Sequence, residues 1–398
     1  MPKNWTLARI GDISSTNLRT YSLSEKWPYV NYLDTGNVTE NRIDQIQRLA
    51  MGKDPLPSRA RRKVEVGDII YSTVRPNQRH YGIIKEVLPN MLVSTGFTVI
   101  SPNIRKVDPD FLYYFLTRNE IVESLHAIGE QSVSAYPSIR PSDIENLEIA
   151  LPPLPEQIEI GRTLRALDEK IANNTRINNQ LEQIAQAIFK SWFVDFEPFG
   201  GSMPDDWEYI ELGNVTSEIR TRAKERLLRV LSAVRTSRLV LSDDYFTKQV
   251  YSKDINKYIV VEPNDFAYNP ARVNIGSLGL NSFDFTGCVS PVYVVFRAKP
   301  EYHHFLNFFF KSPNFQEEVR VRASGSVRQS LSYNDFSLIQ VLYPSLDVVC
   351  RFNNKYENIL KVQHGLDKEN TILAELRDAL LPRLVSGELS VSGIGGAA

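Results

Sequence analysis

The sequence predicts an α+β protein: two tandem mixed α/β domains separated by two long helices, the helices paired as an antiparallel coiled coil with pseudo-two-fold symmetry. Three observations carry this. The 398 residues are enough for two or three domains at about 150 residues each. The chain repeats itself: Met1-Pro2-x-x-Trp5 recurs as Met203-Pro204-x-x-Trp207, and Asp68-Ile69-Ile70-Tyr71 with Arg75 as Asp265-Phe266-Ala267-Tyr268 with Arg272. Val93-Ser94 recurs as Val289-Ser290, Asp143-Ile144 as Asp335-Phe336, and Asn178 and Leu181 as Asn370 and Leu373, the offset shrinking from 202 to 192 along the chain. That period exceeds the 20–50 residues of a solenoid repeat, so a whole domain plus its following helix is duplicated. Finally, two long stretches almost free of Pro and Gly carry an apolar heptad.

The elements follow in chain order. Residues 1–150 form the first mixed domain, with β-type runs such as Asp68–Val74 and Gly96–Ile100, rich in β-branched and aromatic residues. A helix is expected over Pro109–Leu125. Residues 151–199 form the first long helix, begun at Leu151-Pro-Pro-Leu-Pro-Glu-Gln157, where proline suits the first turn and Glu156 complements the dipole. Residues 200–345 repeat the mixed domain, with a helix expected over His303–Arg320. Residues 346–390 repeat the long helix, and 391–398 read as a frayed tail.

In the first helix the heptad places Leu164, Ile171, Asn178, Ala185 and Trp192 at a and Leu167, Asn174, Leu181 and Ile188 at d. Shifted by 192, the second has d at Phe352, Ile359, Leu366, Leu373 and Leu380, with Gln363 and Asn370 at a. Pairing of the two helices buries both seams economically; each helix packing on its own domain is the alternative. A helix from about Pro155 to Asp195 spans roughly 60 Å. Asn178 and Asn370 are expected in one mid-helix layer that fixes register.

Composition bounds the function. Lys and Arg number 46 against 47 Asp and Glu, which excludes nucleic-acid binding by bulk basicity and leaves local patches open. Two cysteines, Cys288 and Cys350, suit a reducing compartment. No secretory h-region or long apolar run is seen, so cytoplasmic location without a membrane span is expected.

Three segments carry a family resemblance: Leu151-Pro-Pro-Leu-Pro-Glu-Gln157, Ile188-Phe-Lys-Ser-Trp-Phe-Val-Asp-Phe-Glu-Pro-Phe199 and Ala379-Leu-Leu-Pro-Arg-Leu-Val-Ser-Gly-Glu-Leu389. With the duplicated architecture, the whole chain resembles the specificity subunits of type I restriction-modification systems. The second copy departs in starting its helix through Tyr343-Pro344-Ser345-Leu346-Asp347. The resemblance implies that each mixed domain is a target recognition domain reading half of a split double-stranded DNA site. It implies that the helices set the spacing and dock two methyltransferase subunits, with restriction and translocase subunits added. S-adenosylmethionine, ATP and Mg would then belong to partner subunits, and this chain would be non-catalytic, with no cofactor of its own.

Candidate DNA contacts are read from charge and loop chemistry. Residues 1–150 carry 18 basic and 17 acidic side chains, and 200–345 carry 17 and 16. In the first domain the basic run is Arg48, Lys53, Arg59, Arg61, Arg62 and Lys63; in the second it is Arg220, Arg222, Lys224, Arg226, Arg229, Arg235 and Arg238. Such runs can contact phosphates or form an ordinary solvated face. Arg75-Pro76-Asn77-Gln78-Arg79-His80 follows a strand and concentrates groups that read base edges, with Arg272-Val273-Asn274 as its poorer counterpart. Arg75 and Arg272, present in both copies, can equally be structural salt bridges, which makes Asn77, Gln78 and Arg79 the better readers. A second loop, Gly129–Tyr136 through Arg140, matches Ser324–Gln329, including Arg328 and Gln329; it is a contact loop or a simple turn. Trp192, Phe193, Phe196 and Phe199 either pack the helix end on the second domain or dock a partner.

Catalytic signatures are missing. No phosphate loop, Asn/Asp-Pro-Pro-aromatic motif or zinc spacing occurs, and no catalytic or metal-binding residue is assigned. The competing reading from another class is a protein-binding scaffold of duplicated domains on a coiled coil, independent of DNA.

Overall fold

The computed structural model describes residues 2–131, 136–246, 248–322 and 330–391. It forms two compact units, Met1–Thr175 with Asp367–Ala398, and Arg176–Leu366. Each unit contains one mixed domain with a segment of both long helices, Leu154–Phe193 and Leu346–Val385.

In the first unit, strand Thr6–Arg9 pairs antiparallel with Glu148–Leu151 and closes the domain's ends together. One sheet is fully antiparallel, in the order Ser14–Thr16, Phe97–Pro102, Ile69–Ser72, Tyr81–Ile83. The other has the order Gln47–Ala50, Tyr29–Leu33, Met91–Ser94, Ala60–Arg62, with a parallel central pair. Strand Ile69–Ser72 shows how the layers meet. Successive side chains point to opposite faces, so Ile69 and Tyr71 enter the core with Phe111, Leu112 and Ile149. Ile70 enters a second core with Phe97, Val93 and Leu33.

The second unit repeats this plan; among the described residues it has no counterpart of the first unit's small hairpin, Val38–Thr39 with Arg42–Ile43. Glu208–Glu211 pairs with Gln340–Tyr343. One sheet runs Thr216–Ile219, Val294–Ala298, Asp265–Tyr268, Leu278–Leu280. The other runs Arg238–Leu241, Arg229–Val234, Gly287–Val289, Ile259–Val261, and its central pair is again parallel. Phe266 and Tyr268 face one core, and Ala267 the other.

The two shorter helices differ from expectation. In place of one helix over 109–125 there are two, Pro109–Leu116 and Asn119–Glu130. Arg118, with ψ 141°, is extended and breaks the ladder between them. The expected helix over 303–320 is likewise His303–Phe309 followed by Pro313–Arg322. Proline at 313 lacks the N–H that continuation needs and disfavours a helical residue before it.

The first long helix is seated on its domain by close approach. A Cβ on Gly161 would lie 2.7 Å from Asp108 Oδ1 and 3.1 Å from the Phe111 nitrogen. Gln157, buried, accepts the Asp108 N–H at 2.9 Å and donates to the Pro152 carbonyl at 2.9 Å.

Within each unit the two helix segments run antiparallel. In the first, Asp168 pairs with Arg377 at 2.9 Å and Lys170 with Glu369 at 3.2 Å. The seam residues Leu164, Leu167, Ile171, Leu373 and Leu380 lie buried or half-buried there, as do Leu181, Ile188, Phe352, Ile359 and Leu366 in the second unit. The polar layer differs from the expected Asn178–Asn370 pair. Asn370 Oδ1 instead accepts from fully buried Asn174 at 3.0 Å. The Asn178 carbonyl accepts from Gln363 at 3.1 Å. Reversing one helix reverses the order of a and d, so Asn174, a d residue, meets Asn370, an a residue, across the seam.

The aromatic run at the end of the first helix is packing. Phe193 is buried against Trp207, Phe305 and Phe352 at ring separations of 5.9, 4.9 and 5.3 Å. Phe196 and Phe199 meet Trp207 edge-on. Among the described residues no helix is long and apolar enough to cross a membrane, and no group of three or more His, Cys, Asp and Glu could hold a metal ion.

Candidate nucleic-acid interface

In the first unit the loop after strand Ile69–Ser72 contains a single 3-10 turn, Pro76–Gln78. It is bracketed by two arginines in the left-handed region, Arg75 at φ 49° and Arg79 at φ 56°. Each costs roughly 1–2 kcal/mol for a residue with a side chain. Surrounding contacts hold the turn there. The Arg75 N–H donates to the Pro137 carbonyl at 2.9 Å, and its guanidinium lies 4.9 Å above the Tyr136 ring. The Ile139 N–H donates to the Thr73 carbonyl at 2.8 Å. The two polar loops that the sequence treats separately are therefore one surface.

A hairpin joins them. The Glu40 N–H donates to the Arg79 carbonyl at 2.9 Å, and Asn41 Oδ1 accepts the Ile83 N–H at 2.9 Å. The contribution of Tyr136 and of this hairpin was not read from the sequence. Its one visible signal is Glu40-Asn41 between short β runs; both residues adopt positive φ, which Asn tolerates well.

The six candidates here divide by what they touch. Asn77, Gln78 and Arg140 are exposed. Arg79 is engaged, donating to Glu40 at 3.2 Å and to Asn119 Oδ1 at 2.7 Å. Partial burial works against its charge, but the Tyr81 hydroxyl and Glu40 outweigh it and raise its pKa. His80 Nδ1 sits 2.6 Å from the Val38 carbonyl. Arg79 and His80 thus make contacts within the loop and its neighbours, whereas Asn77 and Gln78 are exposed. Arg75 is held by an aromatic face instead of the salt bridge considered for it.

The linear basic runs do not form single patches. Arg48 lies on strand Gln47–Ala50 and Arg61 and Arg62 on Ala60–Arg62, the two opposite edges of one four-stranded sheet. Three strand spacings separate them, about 14 Å. Arg48 stacks over Tyr29 at 4.2 Å. Lys63 pairs with Glu25 at 2.5 Å, and its ammonium holds that carboxyl below the usual range. Burial lowers the pKa of Arg62. Lys53 and Arg59 remain exposed, and Arg61 is half-buried.

The second unit divides in the same way. Arg222 bridges to Ile259 at one sheet edge, while Arg238 opens the strand at the other. Arg220 pairs with Glu218 at 2.6 Å, and Lys224 and Arg226 are exposed on the intervening loop. Arg235 and Arg238 instead join the loop that carries Arg272 and Asn274. That loop holds a 3-10 turn, Val273–Ile275, closed by Gly276 at φ 86°. A Cβ on Gly276 would lie 2.6 Å from the Arg235 carbonyl oxygen, and one on Gly279 2.5 Å from the Arg238 carbonyl carbon. Only glycine allows two backbones so near. Arg235, Arg238, Arg272 and Asn274 are all exposed. Arg328 and Gln329 lie outside the described residues.

Each unit therefore presents a turn after the equivalent strand, with amide or guanidinium groups outward. Residues 2–183 match the family model of the type I restriction modification DNA specificity domain. That stretch is similar to a type I restriction modification DNA specificity domain. The similarity extends beyond that match. The HindI specificity subunit of Haemophilus influenzae, a type I restriction enzyme subunit, is 27% identical over an alignment covering 97% of this chain and 100% of that protein. The MjaIX specificity subunit of Methanocaldococcus jannaschii is 25% identical over 98% and 95%. The crystal structure of a type I restriction-modification S subunit from M. genitalium superposes with a TM-score of 0.60 at 17% identity, covering 96% of both chains. The second unit repeats the strand order of the specificity domain, with its parallel central pair.

Proposed function

We propose that this chain is the DNA sequence-recognition subunit of a type I restriction-modification complex. Each unit reads one half of a bipartite double-stranded target. The observation that carries the reading is the duplicated turn, because the same strand pair in both units ends in an exposed turn with different chemistry. Asn77 and Gln78 offer amides that pair with adenine edges, while Arg272 and its neighbours offer guanidiniums suited to guanine or phosphate. Two heads of one fold and unlike side chains read unlike half-sites.

The chain supplies the address and no chemistry. Two methyltransferase subunits, which bind S-adenosylmethionine, dock on the long helices, and restriction subunits add ATP- and Mg-dependent translocation and cleavage. DNA affinity is shared with these partners, so the isolated chain binds weakly. The test maps methylated adenines across the genome with this gene intact and deleted. A bipartite motif that vanishes on deletion supports the reading. An unchanged methylome, with only non-specific DNA binding by the assembled complex, sinks it in favour of a DNA-independent scaffold.

A further inference from the structure

The loop carrying Asn77 and Gln78 is strained, and a chain of contacts links it to the helix pair of its own unit. Arg377, on the second long helix, donates to Asp168 Oδ1 on the first at 2.9 Å. Asp168 Oδ2 accepts from the Tyr114 hydroxyl at 2.7 Å. Tyr114 and Tyr113, both buried, meet edge-on with centroids 5.2 Å apart, and Tyr113 meets Tyr81 at 6.3 Å. Tyr81 stacks on Tyr71 at 5.4 Å and offers its hydroxyl 3.5 Å from Arg79 Nη1. Arg79 closes the strained turn.

The second unit makes the comparison informative. Aligning Phe111-Leu112 with Phe305-Leu306 places Phe308 at the position of Tyr114. Phe308 packs on Phe189, Phe352 and Tyr356; it has no hydroxyl to donate to a carboxylate, and the Lys311 ammonium, paired with Glu182, lies 5.5 Å from its ring. Its turn is closed by a glycine at positive φ, which bears no strain. Strain held by surrounding contacts and strain avoided by glycine are two solutions to one problem; the hydroxyl-to-carboxylate link of Tyr114 to Asp168 stands in the unit whose turn is strained.

We propose that Tyr114, Asp168 and Arg377 are positioning residues that set the presentation of Asn77 and Gln78 to DNA. This rests on the reading of the first unit as a DNA reader. The test uses the chain assembled with its methyltransferase subunits. Methylation rates are measured on the cognate duplex and on duplexes with one base pair changed in either half. Asn77→Ala and Gln78→Ala first identify the base pairs that the first unit reads. Asp168→Asn and Tyr114→Phe are then expected to lose discrimination at those same base pairs by roughly tenfold, the scale of one mismatch. Discrimination in the other half stays unchanged. Asp168→Asn combined with Asn77→Ala loses no more than the larger single effect, as members of one unit do. Tyr114→Phe keeps the ring, so its effect is read in a folded protein. Unchanged discrimination, equal loss in both halves, or additive losses overturn the positioning role. If Asn77→Ala and Gln78→Ala alter no discrimination, the DNA reading of this loop fails instead, and the network falls with it.

Discussion

Removing Arg235, Arg238 and Arg272 together should flatten the salt dependence of DNA binding by a calculable amount. The close approaches at Gly276 and Gly279 bring the backbones bearing these arginines together, with the side chains outward. If each guanidinium neutralises one phosphate, each contributes about 0.9 to the slope of log K against log salt concentration. The triple alanine variant then loses about 2.7 from the slope. Between 50 and 200 mM salt, a fourfold change, its binding defect should shrink about 40-fold. Fluorescence anisotropy of a labelled cognate duplex with the reconstituted complex, titrated in salt, reads this directly. Lys311→Ala is the control, since Lys311 is paired with Glu182 at 3.4 Å and mostly covered; its slope should match the wild type. Parallel lines for triple variant and wild type would refute the assignment of these arginines to phosphates.

Other expectations follow from single contacts. Gly276→Ala should weaken binding through the second unit, because its Cβ meets the Arg235 carbonyl and its φ of 86° disfavours a side chain; affinity and mismatch scans would show the loss confined to one half-site. Gly161→Ala should destabilise the first unit by about 1–3 kcal/mol through overpacking against Asp108 and Phe111, measured by urea unfolding. His304 is buried, and desolvation holds its pKa at about 3 against an ordinary 6.5. It folds neutral, so the stability it contributes is present above pH 6.5 and declines as pH falls toward 3. The slope is at most about 1.4 kcal/mol per pH unit. His304→Phe should flatten the pH dependence of unfolding in that window, and an unchanged dependence would exclude His304 as its source.

The duplication was legible because repeated landmarks need only collinearity. Asp68 and Asp265 illustrate why they persist: each is buried and accepts an ion pair from an arginine, Arg19 in one unit and Arg297 in the other. The arginine comes from different places in the two sheets, so the acid alone carries the sequence signal. The heptads were legible for a similar reason, since one face must be apolar along its whole length. The antiparallel a-to-d pairing was not, because Asn174, read only as a d residue, had no polar counterpart in its own repeat position, where Leu366 stands. The breaks at Arg118 and before Pro313 also escaped. At Arg118 no proline or glycine marks the break, and only the extended backbone ends the helix.

The site was less legible than the fold, and the cause is topological. A run of basic residues is contiguous in sequence, but the strand order Gln47–Ala50, Tyr29–Leu33, Met91–Ser94, Ala60–Arg62 carries its two ends to opposite sheet edges. Charges contiguous in sequence are therefore not contiguous in space here. Arg79 makes the same point at one residue. Its type fits a base reader, yet its Nη1 and Nη2 groups also donate to Glu40, Tyr81 and Asn119. The neighbours Asn77 and Gln78 are exposed, while Arg79 is half-buried and engaged. In this turn, specificity groups and structural groups are adjacent in sequence and distinguished only by what the fold places behind them. Replacing Arg79 with alanine should thus impair recognition indirectly, by releasing a turn whose φ angles cost several kcal/mol together. Replacing Asn77 should impair it directly. The two are separable, since only the Arg79 variant should also lower the unfolding temperature of the first unit.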